Sequence, residues 1–67
     1  MALFEQAYAL VREDAAYTVD DFKQLLQLYY EAEEQERHQI GNLIRLFIKV
    51  CSPDIRPEII ALASEEN

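Results

Sequence analysis

Phe22-Lys23-Gln24-Leu25-Leu26-Gln27-Leu28-Tyr29-Tyr30 and Ile40-Gly41-Asn42-Leu43-Ile44-Arg45-Leu46-Phe47-Ile48 are two apolar boxes, joined by a charged waist, Glu31-Ala32-Glu33-Glu34-Gln35-Glu36-Arg37-His38-Gln39. In the first box Phe22, Leu25, Leu26 and Tyr29 recur at threes and fours, as do Ile40, Leu43, Ile44 and Phe47 in the second; this is the period of an amphipathic helix. The boxes are 18 residues apart, five turns at about 3.6 residues per turn. On a continuous helix they point the same way.

The waist contains no Gly, Pro, Asn, Asp or Ser, and its residues are mostly good helix formers. Glu33 with Arg37 and Glu34 with His38 stand at i,i+4 in the favourable order. The only local breaker is Gly41-Asn42, inside the second box. Two readings follow: one helix from 19 to about 51, straight or kinked, or two helices separated near Gly41, with Gly41 as a C′ residue.

Working outward, residues 3–14 read as a first helix, with Phe4, Ala7, Tyr8 and Val11 on one face and Leu3 and Leu10 beside it. Asp14 to Tyr17 makes a short connection. Thr18 is placed to cap the next helix, with Asp21 three residues on where a capping-box acid belongs. On the other side, Ser52-Pro53-Asp54 stops the central helix, because Pro53 disfavours helical geometry at the residue before it. Pro57 suits the first turn of a last helix, Pro57 to Ala63. Ile55 is expected to pack back from the turn, and Ser64 to Asn67 to fray. The fold class is therefore all-α: a single domain, residues 1–67, forming a small helical bundle in which one long central helix is flanked by two shorter ones. The 18-residue offset extends back to Phe4 and Tyr8, but any amphipathic helices align this way, and solenoid repeats are usually longer.

In the second box the apolar arc reaches from Leu46 to Ile48, roughly 200° at about 100° per residue. That is twice the ~100° stripe of an ordinary surface helix. A continuous helix from 19 to 51 is also about 50 Å long, too long for two short flanks to cover. Both points predict association, with a second copy as a closed dimer or with another protein. The residues expected to carry it are Leu28, Tyr29, Tyr30, Leu43, Leu46, Phe47 and Ile48. The tyrosines Tyr8, Tyr17, Tyr29 and Tyr30 read first as core-edge residues with hydroxyls in water. Tyr30, at the margin of the arc, is the one best placed for binding.

Composition limits the rest. Of 67 residues, 51% are apolar and 28% charged, which is not the balance of a disordered chain. So small a domain buries only roughly 60% of its unfolded surface. Cys51 is the only cysteine, so no disulfide forms within one chain. It sits in an apolar run, where it behaves as a small hydrophobe. The N-terminus lacks the basic region of a signal peptide, and no apolar run approaches a membrane span. A cytoplasmic location is the expectation. Net charge is −7, from 13 acidic and 6 basic residues; residues 40–51 alone carry +2. That balance opposes phosphate backbones and anionic membranes.

No P-loop, dinucleotide fingerprint or nucleophile elbow is present, and the chain has one glycine, Gly41. No catalytic residue, cofactor or metal site is expected, and the chain is read as a non-catalytic protein-interaction module: a regulator, an inhibitor or an assembly factor. Two alternatives belong to other classes. Glu33, Glu34, Glu36 and His38 can hold a metal only if they converge across a dimer axis; the Glu-x-x-His motif of di-iron bundles fails, because Gln35 stands three before His38. A helix-turn-helix reader needs a turn at Gly41-Asn42 and needs Arg37, Arg45, Lys49 and Arg56 on one face. A nucleic-acid mimic is allowed by the acid count, but acids interleaved at helical spacing are explained by solubility.

Overall fold

The computed structural model describes residues 2–12 and 15–65. Among them are four helices: α1 (Ala2–Ala9), α2 (Val19–Glu31), α3 (Glu34–Val50) and α4 (Arg56–Glu65). The fold is all-α, a small bundle whose longest element, α3, is flanked by shorter helices. The first helix, expected to run to residue 14, stops at Ala9, and residues 10–12 form a turn; Glu13, Asp14, Glu66 and Asn67 lie outside the described residues.

The centre of the molecule is the pair α2–α3. Its interruption is neither absent nor at Gly41: it falls in the waist, at Ala32 (φ −77°, ψ 152°) and Glu33 (φ −74°, ψ 165°), both extended. Gly41 and Asn42 lie inside α3. The reason is tertiary. On a continuous helix Phe22 and Phe47 would stand about 37 Å apart, at ~1.5 Å per residue; in the structure their ring centroids are 5.3 Å apart. The two-residue reversal turns α2 and α3 into an antiparallel hairpin, with Phe22, Leu25, Leu26, Ile40 and Phe47 buried between the helices and their neighbours. Helix propensity in the waist is worth a few tenths of a kcal/mol per residue. Burying one large apolar side chain is worth roughly 1.5–3 kcal/mol, so packing wins. The radius of gyration, 10.9 Å, is what about 67 residues give when folded back on themselves.

Reversal leaves the last carbonyls of α2 without helical partners. Arg37 supplies donors to them. Its Nε donates to the Tyr29 carbonyl at 3.2 Å and Nη2 to the Ala32 carbonyl at 2.9 Å, and its guanidinium lies 5.9 Å from the Tyr29 ring centre. The end of α3 repeats the device. Cys51, buried and extended like Ala32, is its C-cap. Arg56 donates to the carbonyls of Ile48 (3.0 Å), Lys49 (3.3 Å) and Cys51 (3.0 Å). In both cases the arginine stands five residues beyond the cap. Arg37 therefore serves the backbone rather than the helix-surface pair with Glu33 that the sequence suggested.

Elsewhere the boundaries follow their local signals. The Thr18 cap is a full capping box: the Asp21 amide donates to Thr18 Oγ1 at 3.1 Å and the Thr18 amide to Asp21 Oδ2 at 3.2 Å. The chain leaves helix after Val50, before Pro53. α4 starts one residue before Pro57 and, where fraying was expected, continues through Ser64 and Glu65. Ile55 packs back on the core as expected, and Ile59 is fully buried. α1 ends at Ala9 in a tight turn, with the Leu10 and Val11 amides donating to the Ala7 and Tyr8 carbonyls. Ala7 and Val11 face the core, while Tyr8, expected beside them, is 51% exposed and stacks on Phe4 at 6.4 Å. Tyr17 takes a positive φ of 54°, which a residue with a Cβ adopts at a cost of roughly 1 kcal/mol or more. Two contacts hold it there. Its ring packs edge-on against Phe47 at 5.2 Å, and its hydroxyl reaches the carbonyls of Val11 and Arg12 at 2.8 Å each. That hydroxyl is not a solvated one.

Gly41 has a packing role. A Cβ built on it would lie 3.4 Å from Tyr29 Cε1, so its bare backbone lets the Tyr29 ring lie close to α3. A methyl group fits at ordinary contact, and Ala is favoured over Gly in a helix interior by about 1 kcal/mol. Gly41→Ala is therefore expected to raise stability by about 0.5–1 kcal/mol, whereas Gly41→Leu lowers it by displacing the ring; urea unfolding of both variants checks the sign. Arg37→Lys and Arg56→Lys are each expected to lose about 1–2 kcal/mol, because a single ammonium cannot reach two or three carbonyls in fork geometry. Lys variants as stable as the parent would show that the charge alone, not the fork, closes the helix ends.

Candidate functional site

The seven residues expected to form an interface do not share one surface. Leu28 is half-buried and lines a depression between α1 and α2, with Gln6, Ala9, Leu10, Gln24, Gln27 and Glu31. Tyr29 and Tyr30 border a groove between α2, α3 and α4, with Leu26, Gly41, Ile44, Arg45 and Ala63. Their rings meet edge to face at 5.4 Å. Leu43 and Ile48 are half-buried against the core. Leu46 is 40% exposed. Phe47 is a correction: it has no exposed surface, because folding α3 back onto α2 places it against Phe22 and Tyr17. It is a core residue.

The broad arc of α3 is thus covered over most of its width. Taking Ile40 as the origin, the arc runs from about −120° at Leu46 to about +80° at Ile48. On one flank Ile44 and Ile48 are half-buried against the core, and Ile44 borders the groove with α2 and α4. The opposite flank carries half-buried Leu43 and then Leu46 and Val50, which stand one turn apart and are 40% and 46% exposed. Val50 was not singled out from the sequence, though its i+4 spacing from Leu46 was there to read. Tyr30 and Ile60, 47% and 46% exposed, add apolar surface on α2 and α4.

The residues of the metal reading do not gather within the subunit. Glu33, Glu34 and His38 border a shallow open depression with Gln35 and Gln39. Glu36 points away from it: its Oε2 accepts from the Phe4 amide at 2.9 Å. That amide is one of the orphan donors in the first turn of α1, so Glu36 is a tertiary cap and sets a carboxylate at the positive end of that helix. Among the described residues, no three His, Cys, Asp or Glu side chains stand together as a metal-binding group. The helix-turn-helix reading loses its turn, because Gly41-Asn42 is helical. Two of its four basic residues, Arg37 and Arg56, are occupied with carbonyls. Cys51 is buried, and its Sγ donates to the Ile48 carbonyl at 3.4 Å. Among the described residues no polar or charged side chain is buried, and no helix is long and apolar enough to cross a membrane.

No protein-family model, curated protein or solved structure matches the chain.

The cap on α1 has a local readout. In Glu36→Ala the Phe4 amide is expected to exchange with solvent faster, and global stability to fall by about 1 kcal/mol. Unchanged exchange at Phe4 would mean that the carboxylate does not hold that end of α1.

Proposed function

We propose that this chain is a small, acidic, non-catalytic interaction module, a regulator, inhibitor or assembly factor, that works by binding protein through the outer edge of α3. The observation that carries the reading is the pair Leu46 and Val50. They lie on the flank of α3 that the chain's other helices leave open, next to half-buried Leu43. The spacing Leu43, Leu46, Val50 is three then four residues, the seam along which one helix receives another.

The surrounding charge supports it. Between Arg37 and Val50 there are three basic residues and no acidic one, on a chain of net charge −7. Lys49 lies beside Leu46 on the helix surface, so the edge suits a partner that brings carboxylates. A second copy carries them on its other elements, and so can another protein. The premise of a 50 Å helix too long to cover no longer bears on the choice, since α2 and α3 fold together. Pairing of two copies rests on the seam alone, and with it the expectation of a homodimer. A cytoplasmic setting suits a chain with a single, reduced cysteine.

Sedimentation equilibrium tests the seam directly. The parent chain is expected to pair reversibly, and Leu46→Glu with Val50→Glu to leave a monomer with unchanged helical circular dichroism. A parent chain that stays monomeric at every concentration, and retains no host protein that the double variant loses, overturns the reading.

A further inference from the structure

A second surface lies on the opposite flank of α3, and its walls are specific enough to name an occupant. Two adjoining depressions share Leu26 and Tyr30. One continues to Ile44 and Ala63, the other to Leu62, so together they form a groove floored by α2 with α3 and α4 as its sides. Along α2 it follows Lys23, Leu26, Gln27 and Tyr30, one helical face spaced i, i+3, i+4, i+7. Those seven steps span about 10 Å, two turns of helix. A groove of that length, with Leu26, Tyr30, Ile44 and Leu62 as its apolar lining, is the kind that takes the apolar face of an amphipathic helix.

Charge decides which helix. The chain has 6 basic residues against 13 acidic ones, yet the charged side chains that line the two depressions are Arg45 and Lys23, both exposed. Among the described residues no carboxylate lines either depression, whereas the depression between α1 and α2 carries Glu31 and the one at the start of α3 carries Glu33 and Glu34. Arg45 is held in place by its Nη1 donating to Asn42 Oδ1 at 2.8 Å, one turn back. Lys23 stands on α2 and Arg45 on α3, so the groove has a cation on each of two walls.

We infer that the groove between α2, α3 and α4 binds an acidic amphipathic helix of another protein, with its apolar face on Leu26, Tyr30, Ile44 and Leu62 and its carboxylates toward Lys23 and Arg45. The interaction is separate from the seam at Leu46 and Val50, and substitutions at one surface leave the other intact. A second copy seated in the groove is the competing occupant, and the test distinguishes it.

The probe is a displayed library of single helices of about 14 residues, ~21 Å, with all surface positions randomised, selected on the full chain. Enriched sequences are expected to carry Asp or Glu beside an apolar i, i+4, i+7 stripe and to bind more weakly as salt is raised. The double reversal Lys23→Glu with Arg45→Glu weakens them by at least about tenfold, while Lys49→Glu, outside the groove, changes little. If the double reversal alters the circular dichroism, Lys23→Gln with Arg45→Gln gives the same direction with smaller effect. No enrichment, enriched helices without acids, or binding indifferent to both double variants overturns the inference. So does a chain whose own dimerisation is lost with the Lys23 and Arg45 variants, which assigns the groove to a second copy.

Discussion

The guanidinium of Arg37 on the carbonyls of Tyr29 and Ala32 is the interaction on which the fold turns. The core exists because Phe22 meets Phe47, and they meet because the chain reverses in two residues. A reversal so short strands carbonyls at a helix end, and each needs a donor. Arg37 answers that demand from the first turns of the very helix the reversal starts. Arg56 does the same for the next helix end, and the Tyr17 hydroxyl reaches the carbonyls of Val11 and Arg12 after α1. Each connection thus brings its own donor, five residues downstream of the last carbonyl it serves. A domain of 67 residues has little burial to spare, and satisfied connections are how it keeps its loops short.

This use of arginine shapes the surface. Two of the chain's six cations, Arg37 and Arg56, are bonded to backbone oxygens, and Glu36 is turned onto the amide of Phe4. Charges that a composition count assigns to solvent are in part structural. The exposed cations on α2 and α3, Lys23, Arg45 and Lys49, then stand around the apolar margins of those helices, while the acids lie mostly on the first turns and the connections. The contrast between a −7 chain and a cationic α3 gives both proposed surfaces their preference for an acidic partner.

Much of the fold was legible because its signals are local. A hydroxyl three residues before an acid, a proline after an apolar run, and the threes and fours of Phe22, Leu25 and Leu26 each act within one turn of chain. The break at Ala32 was not legible, because its cause is a contact between two residues 25 apart in sequence, Phe22 and Phe47. Its local residues argue for the opposite. Gly41 drew attention as a breaker, yet it lies inside α3 beside the Tyr29 ring, where a methyl group also fits at ordinary contact. The 18-residue offset between the boxes also pointed away from the structure, where the two capped ends, Ala32 with Arg37 and Cys51 with Arg56, repeat at 19. Tyr30 and Leu46, singled out by their place at the margin of an arc, are exposed in the structure. Phe47 was wrongly included because a helical wheel counts apolar width and cannot say which part of it a neighbouring helix will cover.

The covered part of that arc and the open part now divide the residues by role. Phe22, Leu25, Ile40, Phe47 and Ile59 are fully buried and hold four helices together; none can be lent to a partner without unfolding the chain. Lys23, Arg45, Leu46 and Val50 are exposed, and Arg45 bonds to Asn42 on its own helix. A small domain with a marginal core can change these residues with little loss of stability, since surface substitutions away from caps and core usually shift it by no more than about 0.5 kcal/mol. Folding thus draws on residues other than those at the exposed edges of α2 and α3, and Arg56 closes the end of α3.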